Sequence, residues 1–448
     1  MTRSVRVSAF VAGLVAGVAA VPAWAQQQTG SRQQERGLFG GGYGDAAQSL
    51  TFDTQIGGGY DGNIALAQPG SATLGSNFTQ LAAPGSRMGD ATGTLSYQIS
   101  QKTFSLQSSV GGWANYYPAL RQSLLDGVTA GVALAWKATS RSTLNFQQGI
   151  SDQPLFVLFP VGAAPADLNL PANAAPLYST GAALETQLAS TTALNFSQKL
   201  APRLTANVSG AYFGTQAVPE APGITTITGS AGLGFALTKG LQLQIGYGET
   251  EARYDFGGVR SQATSSSVTG GLNFSHALSL TRNTHLSFAM GTTYLSFAGQ
   301  STLYLEGNAL LTRDIGRTWA ATLGYTRNIN YVQTFAAPYL SDSVGLGLGG
   351  LVSRRVSLQF GGGATRGTVG LGPAGGSVSD VYGSAGGSLA ITRNVAVRID
   401  YTYLRYDIAA SVLLPTGLAR RLDRQSVRAT LELWVPILRV LRRPDAAR

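Results

Sequence analysis

The residues able to do chemistry in this chain are few. There are two histidines, His276 and His285, and no cysteine, which excludes a thiolate metal site, a cysteine nucleophile and a disulfide framework. His276 and Ser279 have the makings of a base and a nucleophile, but three residues along a strand put them on opposite faces, out of reach of a shared proton. Neither G-x-S-x-G nor H-E-x-x-H occurs. Gly57, Gly59 and Gly62 fit G-x-G-x-x-G by letter, yet no helix follows to offer its N-terminus to a pyrophosphate, so they read as a flexible strand end. No catalytic residue, cofactor or metal site is expected, and the chain is read as a non-enzyme.

Charged residues set between apolar ones are the better candidates. In 394–403 the odd positions Val395, Val397, Ile399, Tyr401 and Tyr403 are apolar, with Ala396, Arg398, Asp400 and Thr402 between them. That is a strand with one greasy and one wet face. The same parity runs through 204–212, 241–247 and 303–311. If the apolar positions face lipid, then Asp53, Glu185, Glu306, Asp380, Arg398, Asp400, Arg428 and Glu432 face a watery interior. Of these, Asp53, Asp380, Arg398, Asp400, Arg428 and Glu432 fall on strands that closure makes neighbours. The resulting mixed-sign patch reads as a polar wall of the pore or the seat of the leader, or else as an ionic network bracing the seam. Gly345, Gly347, Gly349 and Gly363 would clear side chains from another wall.

Composition fits strands of this kind. Only 12% of residues are charged, 58 of 448 are Gly, and mean hydropathy is +0.07, values that suit neither a soluble enzyme nor a helical membrane protein. With 44% apolar residues in a regular period, disorder is excluded as well. The net charge of +10 does not indicate nucleic acid: of 32 basic residues only four are Lys, and many Arg sit singly in expected turns.

Turn signals recur at 101–102, 139–142, 201–203, 239–240, 281–284, 314–317, 353–355 and 392–394, commonly about 40 residues apart, which is two membrane-length strands and a longer loop. Eight tight turns give sixteen strands. A first strand over 50–60 and a last over 425–435 bring the count to eighteen. The expected fold is therefore an all-β, transmembrane antiparallel barrel of about eighteen strands, sixteen being the alternative, with both termini periplasmic. Trp136, Trp319, Tyr247, Tyr294, Tyr331 and Phe235 are expected in interfacial girdles. The loops over 61–90 and 152–180 lie opposite the tight turns, the second folding into the pore or packing against neighbouring loops.

Arg3 and Arg6, the apolar run 9–20 and Ala23-Trp24-Ala25 read as a secretory signal peptide, 1–25. The remaining boundaries are a polar Gln- and Gly-rich leader or plug at 26–48, the barrel at 49–435 and a basic tail at 436–448. Gly57-Gly58-Gly59-Tyr60-Asp61-Gly62-Asn63, closing the first strand after that leader, resembles the Gly-Tyr-Asp-x-Asn opening of a family of outer-membrane β-barrel porins common in proteobacteria. Several members are encoded beside exopolysaccharide loci, and such barrels usually end on an aromatic residue, whereas this chain continues past Trp434. The expected function is a passive channel for polar solutes, with saccharide or exopolysaccharide export as its finer form. The alternatives are a non-conducting structural or assembly barrel closed by leader and long loop, and a carrier for hydrophobic compounds. Expected partners are outer-membrane lipid and lipopolysaccharide, the barrel-assembly machinery, and a polar solute or polysaccharide, with no nucleic acid.

Overall fold

The computed structural model describes residue 39 and residues 46–62, 85–118, 124–154, 186–215, 223–238, 241–256, 259–274, 284–332, 335, 337–371, 375–414 and 420–441. The expected signal peptide, the leader up to residue 45, the loop stretches 63–84 and 155–185, Glu185, His276, Ser279 and the tail from 442 lie outside them. The described residues form eighteen strands. The first six are β1 (Ala46–Asp61), β2 (Ser86–Ser100), β3 (Phe104–Tyr116), β4 (Leu124–Trp136), β5 (Ser142–Pro154) and β6 (Thr186–Ala201). Then come β7 (Leu204–Thr215), β8 (Gly223–Ala236), β9 (Leu241–Phe256), β10 (Val259–Phe274), β11 (Thr284–Phe297) and β12 (Gln300–Ile315). The last are β13 (Trp319–Val332), β14 (Ala337–Leu351), β15 (Val356–Val369), β16 (Gly376–Ala390), β17 (Val395–Ile408) and β18 (Arg421–Leu441).

Each strand pairs antiparallel with its neighbours in sequence, and β1 also pairs with β18, so the sheet closes on itself. Closure pairs backbone donors and acceptors within the wall, which is what a bilayer demands of strands, except where β12 and β13 part beyond Gly307 and Arg327. All eight expected tight turns fall at strand junctions. Ala46 lies opposite Leu441, which puts the start of β1 and the end of β18 at the tight-turn rim.

The alternation decides which side faces out. Ile399, Val208, Ile245 and Leu303 are exposed, whereas Asp400, Ser426 and Thr430 at the opposite parity are buried. Inside, hydroxyls pair between adjacent strands: Thr402 with Ser426 at 2.6 Å, Ser357 with Ser388 at 2.6 Å and Thr228 with Thr250 at 3.1 Å. A closed eighteen-strand sheet, apolar outside and polar inside, is the architecture of the bacterial outer membrane.

Four expectations need correction. The barrel does not stop at 435, because β18 runs on to Leu441 against a β1 that already starts at Ala46. Pro436, which cannot donate to a ladder, is accommodated at a register shift opposite Leu50 and Thr51. The glycine run is not a flexible strand end: Gly57, Gly58 and Gly59 are paired on both sides. A Cβ on Gly57 or Gly59 would run into the backbone carbonyls of Ala429 or Val427, so the closing seam depends on their bareness. Connections opposite the tight turns are not uniformly long either, since residues 298–299 join β11 to β12 in two residues. There, Ala298 and Gly299 both take positive φ, 51° and 76°, as a two-residue hairpin of matching twist requires. Finally, Gly363 does not clear an open wall, because the Tyr382 ring fills the notch it leaves.

Candidate functional site: a charged seam and an inward-turned hairpin

The lumen carries two features that set it apart from a plain hydroxyl-lined wall. The first is the inner wall where β17, β18, β1 and β2 meet. Arg398 Nε donates to Asp400 at 2.6 Å, and its Nη1 stands 3.8 Å from Glu432. Asp400 lies opposite Arg428 in the ladder, Asp90 on β2 shares the field of Arg428, and Asp53 on β1 that of Glu432. Toward the rim opposite the tight turns, Arg424 Nε reaches both oxygens of Asp61 at 2.9 and 3.1 Å, and its Nη2 closes a fork on the same carboxylate. The Tyr117 hydroxyl accepts from that guanidinium.

Five of the eight expected luminal residues therefore gather here: Asp53, Arg398, Asp400, Arg428 and Glu432. Asp380 points inward but does not join them. It is six residues along β16 from Gly386, which faces Asp400, or about 20 Å at strand rise. Glu306 sits on another wall, on β12. Asp61, Asp90 and Arg424 complete the patch and escaped the sequence reading. Parity finds them: Asp61 shares the face of Asp53, and Arg424 that of Arg428 and Glu432.

The second feature is absent from every sequence expectation. β11 and β12 pair along their whole length, but β12 and β13 pair only from Gly307 opposite Arg327 to Ile315 opposite Trp319. Beyond that point β13 leaves the wall while staying zipped to β14, and the pair bends into the lumen until β14 comes against β10, four strands away in the sheet. The outer face of β13 thereby turns onto the inner faces of β8 to β12. Tyr331, expected in the lipid girdle, donates its hydroxyl to Ser265 on β10 at 2.6 Å and packs against Ile224, Tyr254 and Ala263. The Arg327 guanidinium lies 4.9 Å over the Tyr304 ring. Behind the hairpin, Phe335 stacks on Tyr339 with centroids 5.6 Å apart.

The Arg327 side chain takes up a backbone group beside the parted strands, its Nε donating to the Leu305 carbonyl at 3.1 Å. On the other face of the hairpin, Asn330 Nδ2 donates to Ser341 at 2.8 Å and Asn328 Nδ2 to Asn330 at 3.1 Å.

No family model matches the chain, and no curated protein matches its sequence. Among solved structures it is similar to Pseudomonas aeruginosa OpdQ, at 11% identity over 87% of this chain and 98% of that one, with a TM-score of 0.43. It is similar to Acinetobacter baumannii OccAB4 at 10% identity over 88% and 100%, TM-score 0.42, and to the siderophore receptor PirA from Pseudomonas aeruginosa at 10% over 86% and 80%, TM-score 0.41. The barrel assignment stands on the strand ladders themselves.

Proposed function

We propose that the protein is a porin-like outer-membrane channel through which polar solutes pass passively. The observation that carries this reading is the inner face: hydroxyl pairs on neighbouring strands, and a charged wall at the closing seam, inside a closed sheet whose outer face is apolar. A wetted lumen rich in hydroxyl and amide groups exchanges hydrogen bonds with a polyhydroxylated solute at little net cost, which favours saccharides, an exported polysaccharide among them. The seam adds five carboxylates, Asp53, Asp61, Asp90, Asp400 and Glu432, against three guanidiniums, Arg398, Arg424 and Arg428, so cations are preferred over anions.

A second reading, a barrel that does not conduct, draws on the inner wall behind the hairpin, where Ala263 and Leu295 are 0% exposed. Liposome swelling separates the two. Vesicles bearing the protein should take up uncharged mono- and disaccharides faster than protein-free vesicles and discriminate by size. Uptake equal to that of bare vesicles, with the barrel shown to be inserted, would favour the closed barrel.

A further inference from the structure

The sequence of the parted strands is patterned for a position they do not occupy. Continuing the β12–β13 register past Gly307 and Arg327 would set Glu306 beside Asn328, Leu305 beside Ile329, Tyr304 beside Asn330 and Leu303 beside Tyr331. Leu305 with Ile329 and Leu303 with Tyr331 would then form apolar pairs on the lipid face, while Glu306 with Asn328 and Tyr304 with Asn330 would form polar pairs on the luminal face. That is the alternation of Leu305 to Leu311 on β12 and of Val395 to Tyr403 on β17, and cross-strand matching of this kind is what fixes register. At present Leu303 and Leu305 are 71% and 49% exposed beside a ladder that has come apart.

We propose that the β13–β14 hairpin is a gate with two seats. In the inward seat, the one observed, it narrows the lumen and leaves β12 unzipped from β13 over 302–306. In the wall seat the ladder completes, Tyr331 joins the outer aromatic belt and the lumen widens. The seats exclude each other because one strand edge serves both. The inward seat is held by the Tyr331 hydroxyl on Ser265 and by Arg327 on the Leu305 carbonyl. Arg327 takes up a backbone carbonyl beside the parted ladder and the Tyr331 hydroxyl gains a partner inside, so each seat offers polar partners of its own and both lie within reach of one equilibrium.

The proposal rests on the channel reading, and its test keeps the two apart. The chain has no cysteine, so introduced pairs react cleanly. Thr302→Cys with Val332→Cys probes the continued register at the point farthest from the intact ladder and leaves Tyr331 in place. Leu311→Cys with Leu323→Cys, paired across the intact ladder, is the control for oxidation in lipid. The 302–332 disulfide should form in the membrane-inserted protein, several-fold faster when Tyr331→Phe removes the bond to Ser265. Its formation should raise single-channel conductance, and a reductant should return conductance to the starting level. Failure of the 302–332 pair to close while the control closes would overturn the gate, whatever the barrel conducts. So would closure with an unchanged, non-zero conductance. Closure with no current in either redox state would uphold the two seats and overturn the channel instead.

Discussion

Arg424 grips Asp61 from 363 residues away, through Nε at 2.9 and 3.1 Å and through Nη2, with both side chains sealed from solvent. The pair ties the end of the first strand to the start of the last, at the rim where the barrel closes. A fork on a carboxylate is the strongest form such a pair takes, and a buried one is costly to halve. Arg424→Met strands the Asp61 charge and should destabilise the barrel by about 3–5 kcal/mol. Asp61→Asn with Arg424→Met should lose much less. The temperature at which the folded gel band converts to the unfolded one reads this directly, and additive losses would contradict the coupling.

Gly59 should tolerate no side chain. A Cβ there meets the Val427 carbonyl, and backbone in a closed sheet cannot step aside without breaking the seam. Gly59→Val is expected to abolish heat-modifiable folding, whereas the same change at Gly229 or Gly383, where a Cβ meets nothing within 4 Å, should leave it intact. Equal folding yields for the three variants would remove the close-approach account of the glycine run.

Strand number, pairing order and the sides of the wall were all legible in the sequence because each depends on a period of two and on turn residues, which are local. The Asp61–Arg424 pair was missed by one residue at each end. With the first strand drawn over 50–60 and the last over 425–435, both partners fell just outside regular structure. The inward hairpin was illegible for a deeper reason. Leu323, Tyr325, Ile329 and Tyr331 keep the wall alternation, and Arg327 at the same parity is too slight a local mark to show that β13 departs from β12. It takes the missing ladder pairs and the long-range contact of Tyr331 with Ser265 to reveal it.

The face assignment is tested by parity. Ile399→Arg places a charge at the centre of the apolar band on the lipid face, at a cost of about 2–4 kcal/mol near the bilayer midplane, while Thr402→Arg and Asn308→Arg meet a watery lumen. Folding into lipid vesicles should fall sharply for the first and little for the other two. Equal impairment at both parities would invert or erase the assignment.

At the seam, Arg398→Glu puts a third acid beside Asp400 and Glu432. The reversal potential under a salt gradient should move toward greater cation preference, and the shift should shrink as salt shortens the Debye length to about 3 Å at 1 M. Heat stability should drop as well, because the guanidinium that neutralises both carboxylates is gone. A stability loss with no change in reversal potential would make the patch a brace alone.

Planar-bilayer recording of the inserted protein decides whether the lumen conducts. The account predicts discrete, cation-preferring current steps, with a larger level when the hairpin is held in the wall by the 302–332 disulfide. An inserted, heat-modifiable barrel that passes no current, with the hairpin free or held in the wall, would contradict it.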